Sequence, residues 1–421
     1  MKKGRETHDE PMTIIREEDT LPMNKIVILG IQHAFTMFGA TVLVPIITGL
    51  NPAVALFMAG VGTLIFHLIT KGKVPVFLGS SFAFIAPILA VATHHNFAVE
   101  GSPEVGLAYA QGGLVVAGII YIMVAALVYA FGYQRIVSYF PPVVTGPIIM
   151  VIGLKLAPVA IDMASEHWTL AIVSFLIVAI VSVFGKGFLK LLPVMCGLIG
   201  GYLVAVITGN VEFAPVVNAK IIGIPEFVMA KFDFQAIMII APIAIATMVE
   251  HIGDVLAIGA TVEKDFMESP GLHRTILGDG IATSLSAMFG GPANTTYSEN
   301  TGVLALTGVH KSLVMRAAAV FAIILGIVPK LGGIIATIPT AVVGGISIIL
   351  FGMIAAIGGR TLVENKVDFG KSRNLIITAV ILVLGLGGAV LPIAIGNFAF
   401  DMEGMALAAI VGIVLNKLLP D

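Results

Sequence analysis

Charged residues are scarce in this chain of 421 residues, because Asp, Glu, Lys and Arg together make up only 11%. An ordinary soluble domain has about 25%. A water-soluble fold needs polar side chains to cover its surface. The shortage therefore excludes a soluble enzyme, a nucleic-acid-binding protein and a disordered chain. The net charge of −2 likewise predicts no partner that is attracted by bulk charge.

Residues that bind metals or nucleotides in known patterns are also missing. Cys196 is the single cysteine, so the chain cannot form an internal disulfide. The sequence contains no Cys/His cluster, no HExxH pattern and no GxxxxGK[ST] phosphate loop. We therefore expect no cofactor, no metal ion and no enzymatic activity.

Apolar sequence is abundant, with 58% hydrophobic residues and a mean hydropathy of +1.04. A helix of about 20 apolar residues crosses the hydrocarbon core of a bilayer. Twelve segments fit that description, and two more, 74–91 and 292–307, are apolar but interrupted by Pro, Gly and polar residues. The sequence predicts an all-α polytopic membrane protein with fourteen transmembrane segments.

Lys and Arg test this count, since they collect on the cytoplasmic side of a membrane. With fourteen spans, a polar cytoplasmic tail over 1–24 and a cytoplasmic C-terminus, all but four of the 23 basic residues lie inside. The four outside are Lys155, Lys220, Lys231 and Lys330. If only segment 292–307 is not counted as a span, the basic residues fall on both sides of the membrane. If neither interrupted segment is counted, the basic residues are separated almost as well as with fourteen spans. Twelve spans therefore stays an alternative.

An internal repeat divides the chain into two halves. PPVVTGPIIMVIG (141–153) aligns with PTAVVGGISIILF (339–351), which are predicted spans 5 and 12. The interrupted segments are spans 3 and 10, also seven apart. Because seven is odd, the halves 25–210 and 211–421 form an inverted repeat. Paired interrupted helices in such repeats point to a substrate site, so we expect one between residues 79–84 and 294–300.

Several ionisable residues fall inside predicted spans, where an unpaired charge is costly. Glu250 and Asp254 are four residues apart and share a helix face. Two close carboxylates in a low dielectric do not both ionise readily, so one is expected to carry a proton. The alternative is a helix that ends near residue 249. The alternative for Glu299 is a position in an extramembrane loop. His33 is either a packed residue or a proton carrier.

Two further ionisable residues receive structural interpretations. His251 follows Glu250 but points about 100° away around the helix, so we expect it to pack. Asp279 lies near a predicted span end, where capping explains it.

Five stretches resemble the nucleobase–ascorbate transporter family. ENTGVLALTG (299–308) matches its signature, an acid or amide followed by Asn-x-Gly and then Thr. The bacterial uracil permease branch is most similar in QHAFTMFGATVLVPI (32–46), VPVFLGSSFAFIAP (74–87), VEHIGD (249–254) and NTTYSENTGV (294–303). The resemblance extends along the chain from about residue 22.

The resemblance implies an architecture and an activity. Spans 1–4 and 8–11 would form a core domain and spans 5–7 and 12–14 a gate domain, with short β-strands in spans 3 and 10. The protein would be a homodimer in the cell membrane. It would import uracil together with protons by alternating access.

The resemblance also implies roles for individual residues. Glu250 and Glu299 would bind the base through their carboxylates, and the backbone N–H groups of Phe82 and Ser298 would donate to its carbonyl oxygens. His33 would join the hydrogen-bond network around Glu250, and Asp254 would share in proton coupling. Two positions depart from some relatives, which have His in place of Asp254 and Gly in place of Ser298.

Other functions stay open on the sequence alone. A proton symporter for xanthine or for a broader range of pyrimidines would use the same fold. An anion carrier would favour a positive site, which two or three acids contradict. An intramembrane enzyme would need a nucleophile or a metal set, and a passive channel would not accumulate its solute.

Overall fold

The computed structural model describes residues 14–94, 97, 103–395 and 398–420. Side chains are described for all of these except residues 103, 104, 298, 299, 394, 395, 398–401 and 403. Most of the predicted N-terminal tail, residues 1–13, thus lies outside the described residues. The described part is mostly helical, as the sequence predicts.

Up to residue 218, the described residues form ten α-helices and one short strand. They are α1 (Met23–Thr48), α2 (Pro52–Ile69), β1 (Leu78–Ser80), α3 (Ile85–Ala92), α4 (Pro103–Phe131), α5 (Tyr133–Val137), α6 (Pro142–Lys155), α7 (Ala157–Ser165), α8 (Trp168–Phe184), α9 (Pro193–Ile207) and α10 (Ala214–Asn218).

Beyond residue 218, the described residues form nine α-helices and three strands. They are α11 (Phe234–Ile240), α12 (Ala244–Val262), α13 (Leu272–Met288), β2 (Asn294–Thr296), α14 (Ser298–Thr307), α15 (Ser312–Gly326), α16 (Pro329–Ala336), α17 (Thr340–Glu364), α18 (Ser372–Leu386), β3 (Val390–Ile395), β4 (Phe398–Glu403) and α19 (Gly404–Leu418).

Local sequence sets where several helices begin and end. Asn51 caps α2, since its side chain accepts from the backbone N–H of Ala53 at 2.8 Å, and Pro52 fits the first helical position. Gly49 ends α1 in a left-handed conformation that glycine adopts without strain. Asp233 caps α11 in the same way as Asn51 caps α2.

Six helices of the described chain are long and apolar enough to cross a membrane, or seven if α15 and α16, which meet at 78°, count as one broken span. Large apolar side chains are exposed on their neighbours, among them Ile207 at 83% and Phe184 at 74%. Such exposure on several helices is typical of a surface that faces lipid. The chain is therefore a multi-pass membrane protein, and the number of fourteen spans stays a prediction.

The helices pack in two groups. In the first, α13 packs on α4 and α2, while α15 packs on α2 and α1, and α14 contacts α12 and α1. In the second, α17 packs on α6, α7 and α8, and α18 packs on α19 and α6. The groups meet where α12 contacts α6 and α19, and where α1 contacts α9. We call them the first and the second helix group.

Glycines of the repeated segments 141–153 and 339–351 allow close helix approach in the second group. A Cβ atom on Gly153 of α6 would lie 2.4 Å from the Phe351 carbonyl oxygen of α17. One on Gly344 would lie 2.3 Å from the backbone nitrogen of Ala164. Backbones this close leave no room for a larger residue.

The last predicted span begins differently from the expectation. The apolar run over 392–418 suggests one continuous helix, but the structure has an antiparallel strand pair, β3 and β4, before α19 begins at Gly404. Pro392, Gly396 and the alternation around Phe398 and Phe400 disfavour a helix there, and hydropathy alone does not register this.

Candidate functional site

Two short strands from opposite halves of the chain meet inside the protein. β1 and β2 pair antiparallel, with Gly79 opposite Thr295 and Ser80 opposite Asn294. All six residues of the two strands are buried. The segments 74–91 and 292–307, singled out by their interruptions, thus contact each other directly.

Hydrogen bonds to three helices hold the strand pair. Thr63 of α2 donates to and accepts from the backbone of Leu78, its Oγ1 lying 2.9 Å from the Leu78 nitrogen. Thr283 of α13 donates to the Asn294 carbonyl oxygen at 2.8 Å. The Ser80 hydroxyl donates to the Thr41 carbonyl oxygen of α1 at 2.9 Å. These bonds satisfy irregular backbone that lipid could not solvate.

Glycine is required at the centre of β1. A Cβ atom on Gly79 would lie 2.4 Å from the Tyr297 ring and 2.8 Å from the Thr41 hydroxyl. The Tyr297 hydroxyl in turn donates to the Ser80 carbonyl oxygen at 3.0 Å. The ring therefore packs directly on the strand backbone.

A helical segment starts just after each strand. Phe82 opens a 3-10 turn, Phe82–Phe84, that leads into α3, and Ser298 opens α14. The first backbone N–H groups of a helix have no intrahelical partner and carry partial positive charge. The two helix starts thus bring hydrogen-bond donors to both ends of the strand pair, which suits a ligand with carbonyl oxygens.

Phe82 lies at the boundary between the helix groups. Its ring is half-buried and packs edge-on against Phe351 of α17, with 6.2 Å between ring centroids. A ring face beside this boundary can stack on a flat ligand.

The acids of α12 lie beside the strands. The helix continues to Val262, so the alternative that it ends near residue 249 is wrong. Glu250 and Asp254 are both half-buried. The Thr296 hydroxyl of β2 donates to Asp254 Oδ2 at 2.8 Å, which ties the α12 acids to the strand pair.

His33 contacts the helix that follows β2. Asn300 Nδ2 donates to the His33 carbonyl oxygen at 3.3 Å and lies 3.0 Å from His33 Nδ1. Asn300 therefore links α14 to the backbone and to the ring of His33 in α1. His33 and Asn300 are fully buried.

Glu299 lies in the first turn of α14 and not in a loop. Its side chain, like that of Ser298, is outside the described side chains. Its described neighbours Tyr297 and Asn300 are 3% and 1% exposed, so this part of the helix is inside the protein.

His251 and Asp279 form a buried pair that the sequence interpretation missed. Asp279 lies in the middle of α13, not near a span end, and His251 Nδ1 is 3.1 Å from its Oδ2. Both side chains are fully buried.

Thr296 and Asn300 also escaped the sequence analysis. Each is a small polar residue in a polar stretch, NTTYSEN, and its partner is far away in the sequence. Only the pairing of the strands brings them to Asp254 and His33. Within the described residues, no group of three or more His, Cys, Asp or Glu side chains could hold a metal ion.

Paired interrupted helices in a multi-pass membrane protein are typical of transporters. This chain is therefore a transporter and not an enzyme. Comparison with known proteins agrees. Residues 24–394 match the Permease family, Xan_ur_permease, and this chain belongs to that family, which is the nucleobase–ascorbate transporter family. The resemblance seen in the sequence is thereby confirmed.

Relatives match over nearly the whole chain. A uracil permease of Bacillus caldolyticus is 44% identical over 98% of this chain and 95% of its own length. A uracil permease of Bacillus subtilis (strain 168) is 44% identical over 93% of this chain and 92% of its own. Among solved structures, the transmembrane domain of the cyanobacterial bicarbonate transporter BicA has a TM-score of 0.63 at 16% identity, covering 96% of this chain and 100% of that one. The last comparison shows a shared fold.

Proposed function

We propose that the chain is a symporter that imports uracil together with protons across the cytoplasmic membrane by alternating access. The observation that carries the proposal is the strand pair, which has a helix start at each end and a hydrogen bond to Asp254 of α12. The near full-length similarity to uracil permeases supports the choice of substrate.

The chemistry of the site suits uracil. Uracil is neutral and flat, with two N–H donors and two carbonyl acceptors. Glu250 and Glu299 would accept from the N–H groups, and the backbone N–H groups of Phe82 and Ser298 would donate to the carbonyl oxygens. The Phe82 ring would stack on the base.

Proton coupling would use Glu250, Asp254 and His33. A neutral substrate gains nothing from the membrane potential, whereas a co-transported proton contributes about 2.3 kcal/mol per 100 mV. Glu250 would take a proton before the loaded carrier reorients, with Asp254 sharing the charge on the same helix face. His33 would connect to this network through Asn300, next to Glu299 in α14.

The architecture we propose follows the two helix groups. The first group would be the core domain and the second the gate domain, within fourteen spans arranged as two inverted repeats over 25–210 and 211–421. Both termini would be cytoplasmic, and the protein would be a homodimer in the cell membrane. The packing of Phe82 against Phe351, across the group boundary, supports a site that opens when the groups move apart.

A second candidate is a proton symporter for xanthine or for a broader range of pyrimidines. The departure at Ser298, where some relatives have Gly, leaves this candidate open. Competition by unlabelled uracil, thymine, xanthine and hypoxanthine against labelled uracil distinguishes the candidates. Competition by uracil alone at low concentration supports the first proposal.

The test of the coupling residue is Glu250→Gln, measured as uracil uptake into proteoliposomes under an imposed pH gradient. We expect gradient-driven uptake to fall to background, because the amide keeps the shape but cannot exchange a proton. Glu263→Gln is the matched control, since that acid lies at the exposed end of α12. Uptake by the Glu250 variant that still follows the gradient would reject the role.

A further inference from the structure

A large cavity lies at the edge of the first helix group, away from the strand pair. Its volume is about 760 Å³. It is bounded by the turn after α2, the segment between α12 and α13, and α15. Four basic residues line it, namely Lys71, Lys73, Lys264 and Arg316, together with two acids, Glu17 and Asp265.

Both acids of the cavity are already engaged with backbone N–H groups. Asp265 Oδ1 accepts from the nitrogens of Met267 at 2.8 Å and Glu268 at 3.2 Å. Glu17 Oε2 accepts from the Ser312 nitrogen at the start of α15 at 2.6 Å. The carboxylates therefore organise the local backbone, and the cavity keeps an excess of positive charge.

The basic groups have no carboxylate partner within the described part of the chain. Lys73 Nζ donates to the neutral Ser269 hydroxyl at 2.9 Å. Arg316 Nε is buried without a hydrogen-bond acceptor among the described residues. Lys71 and Lys264 are exposed. Four positive charges that converge on one concave surface are suited to an anion with several oxygens.

One wall of the cavity is apolar. It is formed by Leu64 and Leu68 on the last turns of α2, and by Phe266. Leu68 is 80% exposed, which is typical of a side chain in contact with lipid. The cavity thus combines a cationic end with an apolar wall that continues onto the surface of a membrane-spanning helix.

We propose that this cavity binds a phosphate-bearing anion at the membrane surface. The anion can be the headgroup of an anionic phospholipid or a soluble phosphate, and the apolar wall favours the phospholipid, whose acyl chain would follow Leu68. The Lys and Arg distribution places this end of the protein on the cytoplasmic side, where anionic lipids attract basic residues. The site is separate from the proposed uracil site and does not depend on it.

The experiment measures binding to the purified full chain in neutral detergent. Phosphatidylglycerol, phosphatidylcholine and inorganic phosphate are titrated separately, and retained ligand is counted by native mass spectrometry alongside the melting temperature. The test variant is Lys71→Gln with Lys264→Gln, because both side chains are exposed and their loss leaves the packing intact. The matched control is Lys366→Gln with Lys371→Gln, two exposed residues beyond α17 that do not line the cavity.

The expected result is selective binding of phosphatidylglycerol over phosphatidylcholine. In the test variant its affinity falls by about 30-fold, at about fivefold for each basic residue removed near an anionic surface. The control variant changes little. If inorganic phosphate instead binds the wild type and fails to bind the test variant, the anion site is supported and its ligand is a soluble phosphate.

Three results would overturn the proposal. They are binding of neither ligand by the wild type, equal affinity in wild type and test variant, or an equal loss in the control variant. The last result would mean that the face attracts anions through its general charge, with no defined site. None of these measurements requires transport, so failure here is distinguishable from failure of the proposed function.

Discussion

Thr296 is the residue that joins the acidic helix to the strand pair. Its hydroxyl donates to Asp254, whereas the hydroxyl of its neighbour Thr295 is buried without a partner among the described residues. The two threonines thus form a natural comparison on one strand.

We predict that Thr296→Val lowers kcat/KM for uracil uptake by about tenfold, because a carboxyl group that loses its hydrogen-bond partner costs about 1–3 kcal/mol. Thr295→Val, with the same change in shape, is expected to leave uptake within about twofold, since a hydroxyl without a partner contributes no such bond. The measurement is initial uptake rate over a range of uracil concentrations. Equal effects of the two substitutions would contradict the assigned contact.

The buried contact between His251 and Asp279 leads to a prediction about stability. Removing one member of a buried polar pair leaves the other without its partner, at a cost of about 1–3 kcal/mol. We predict that Asp279→Ala destabilises the protein by about that amount, measured as unfolding in detergent. The double variant His251→Phe with Asp279→Leu should recover part of the loss, because it removes both polar groups. An Asp279→Ala protein as stable as the wild type would show that the contact is dispensable.

At the scale of elements, close backbone contact joins α4 to α13. A Cβ atom on Gly118 would lie 2.2 Å from the Ser284 hydroxyl and 2.6 Å from the Gly280 carbonyl oxygen. The helices cannot separate without disturbing Thr283, which holds β2. Packing of this pair therefore supports the strand pair.

We predict that Gly118→Ala destabilises the protein by about 1–3 kcal/mol, since an added methyl group overpacks the contact. Gly352→Ala in α17 is the control, because open space surrounds that position. It should stabilise the protein by about 0.5–1 kcal/mol, as alanine restricts the unfolded chain. Both free energies are measured by unfolding in detergent. The packing would be contradicted if Gly352→Ala destabilised the protein while Gly118→Ala did not.

Sequence patterns predicted the secondary-structure elements better than they predicted the side-chain contacts between those elements. The interruptions at 74–91 and 292–307 marked the segments that form β1 and β2, and the spacing of Glu250 and Asp254 placed both on one helix face. Local sequence carries these features. The His251–Asp279 contact and the Asp254–Thr296 bond join distant segments, and helix rotation decides them, so no local pattern reveals them. Hydropathy also did not distinguish strands β3 and β4 from a helix, because a strand and a helix can be equally apolar.

At the scale of the whole molecule, the proposed site lies where the two helix groups meet. α12 carries the acids and contacts α6 and α19 of the second group, while Phe82 packs on Phe351 across the same boundary. A relative movement of the groups would therefore change access to the strand pair and to Glu250 together. Under the proposed mechanism, this arrangement would link substrate release to proton release.

The most direct test of the central claim is the steady-state accumulation of labelled uracil in proteoliposomes that hold the wild-type protein. With one proton per uracil and one pH unit imposed, acid outside, we predict about tenfold accumulation, because one pH unit corresponds to about 1.4 kcal/mol. A protonophore should abolish it. Uracil that only equilibrates across the membrane, with the same result with and without the gradient, would contradict the account.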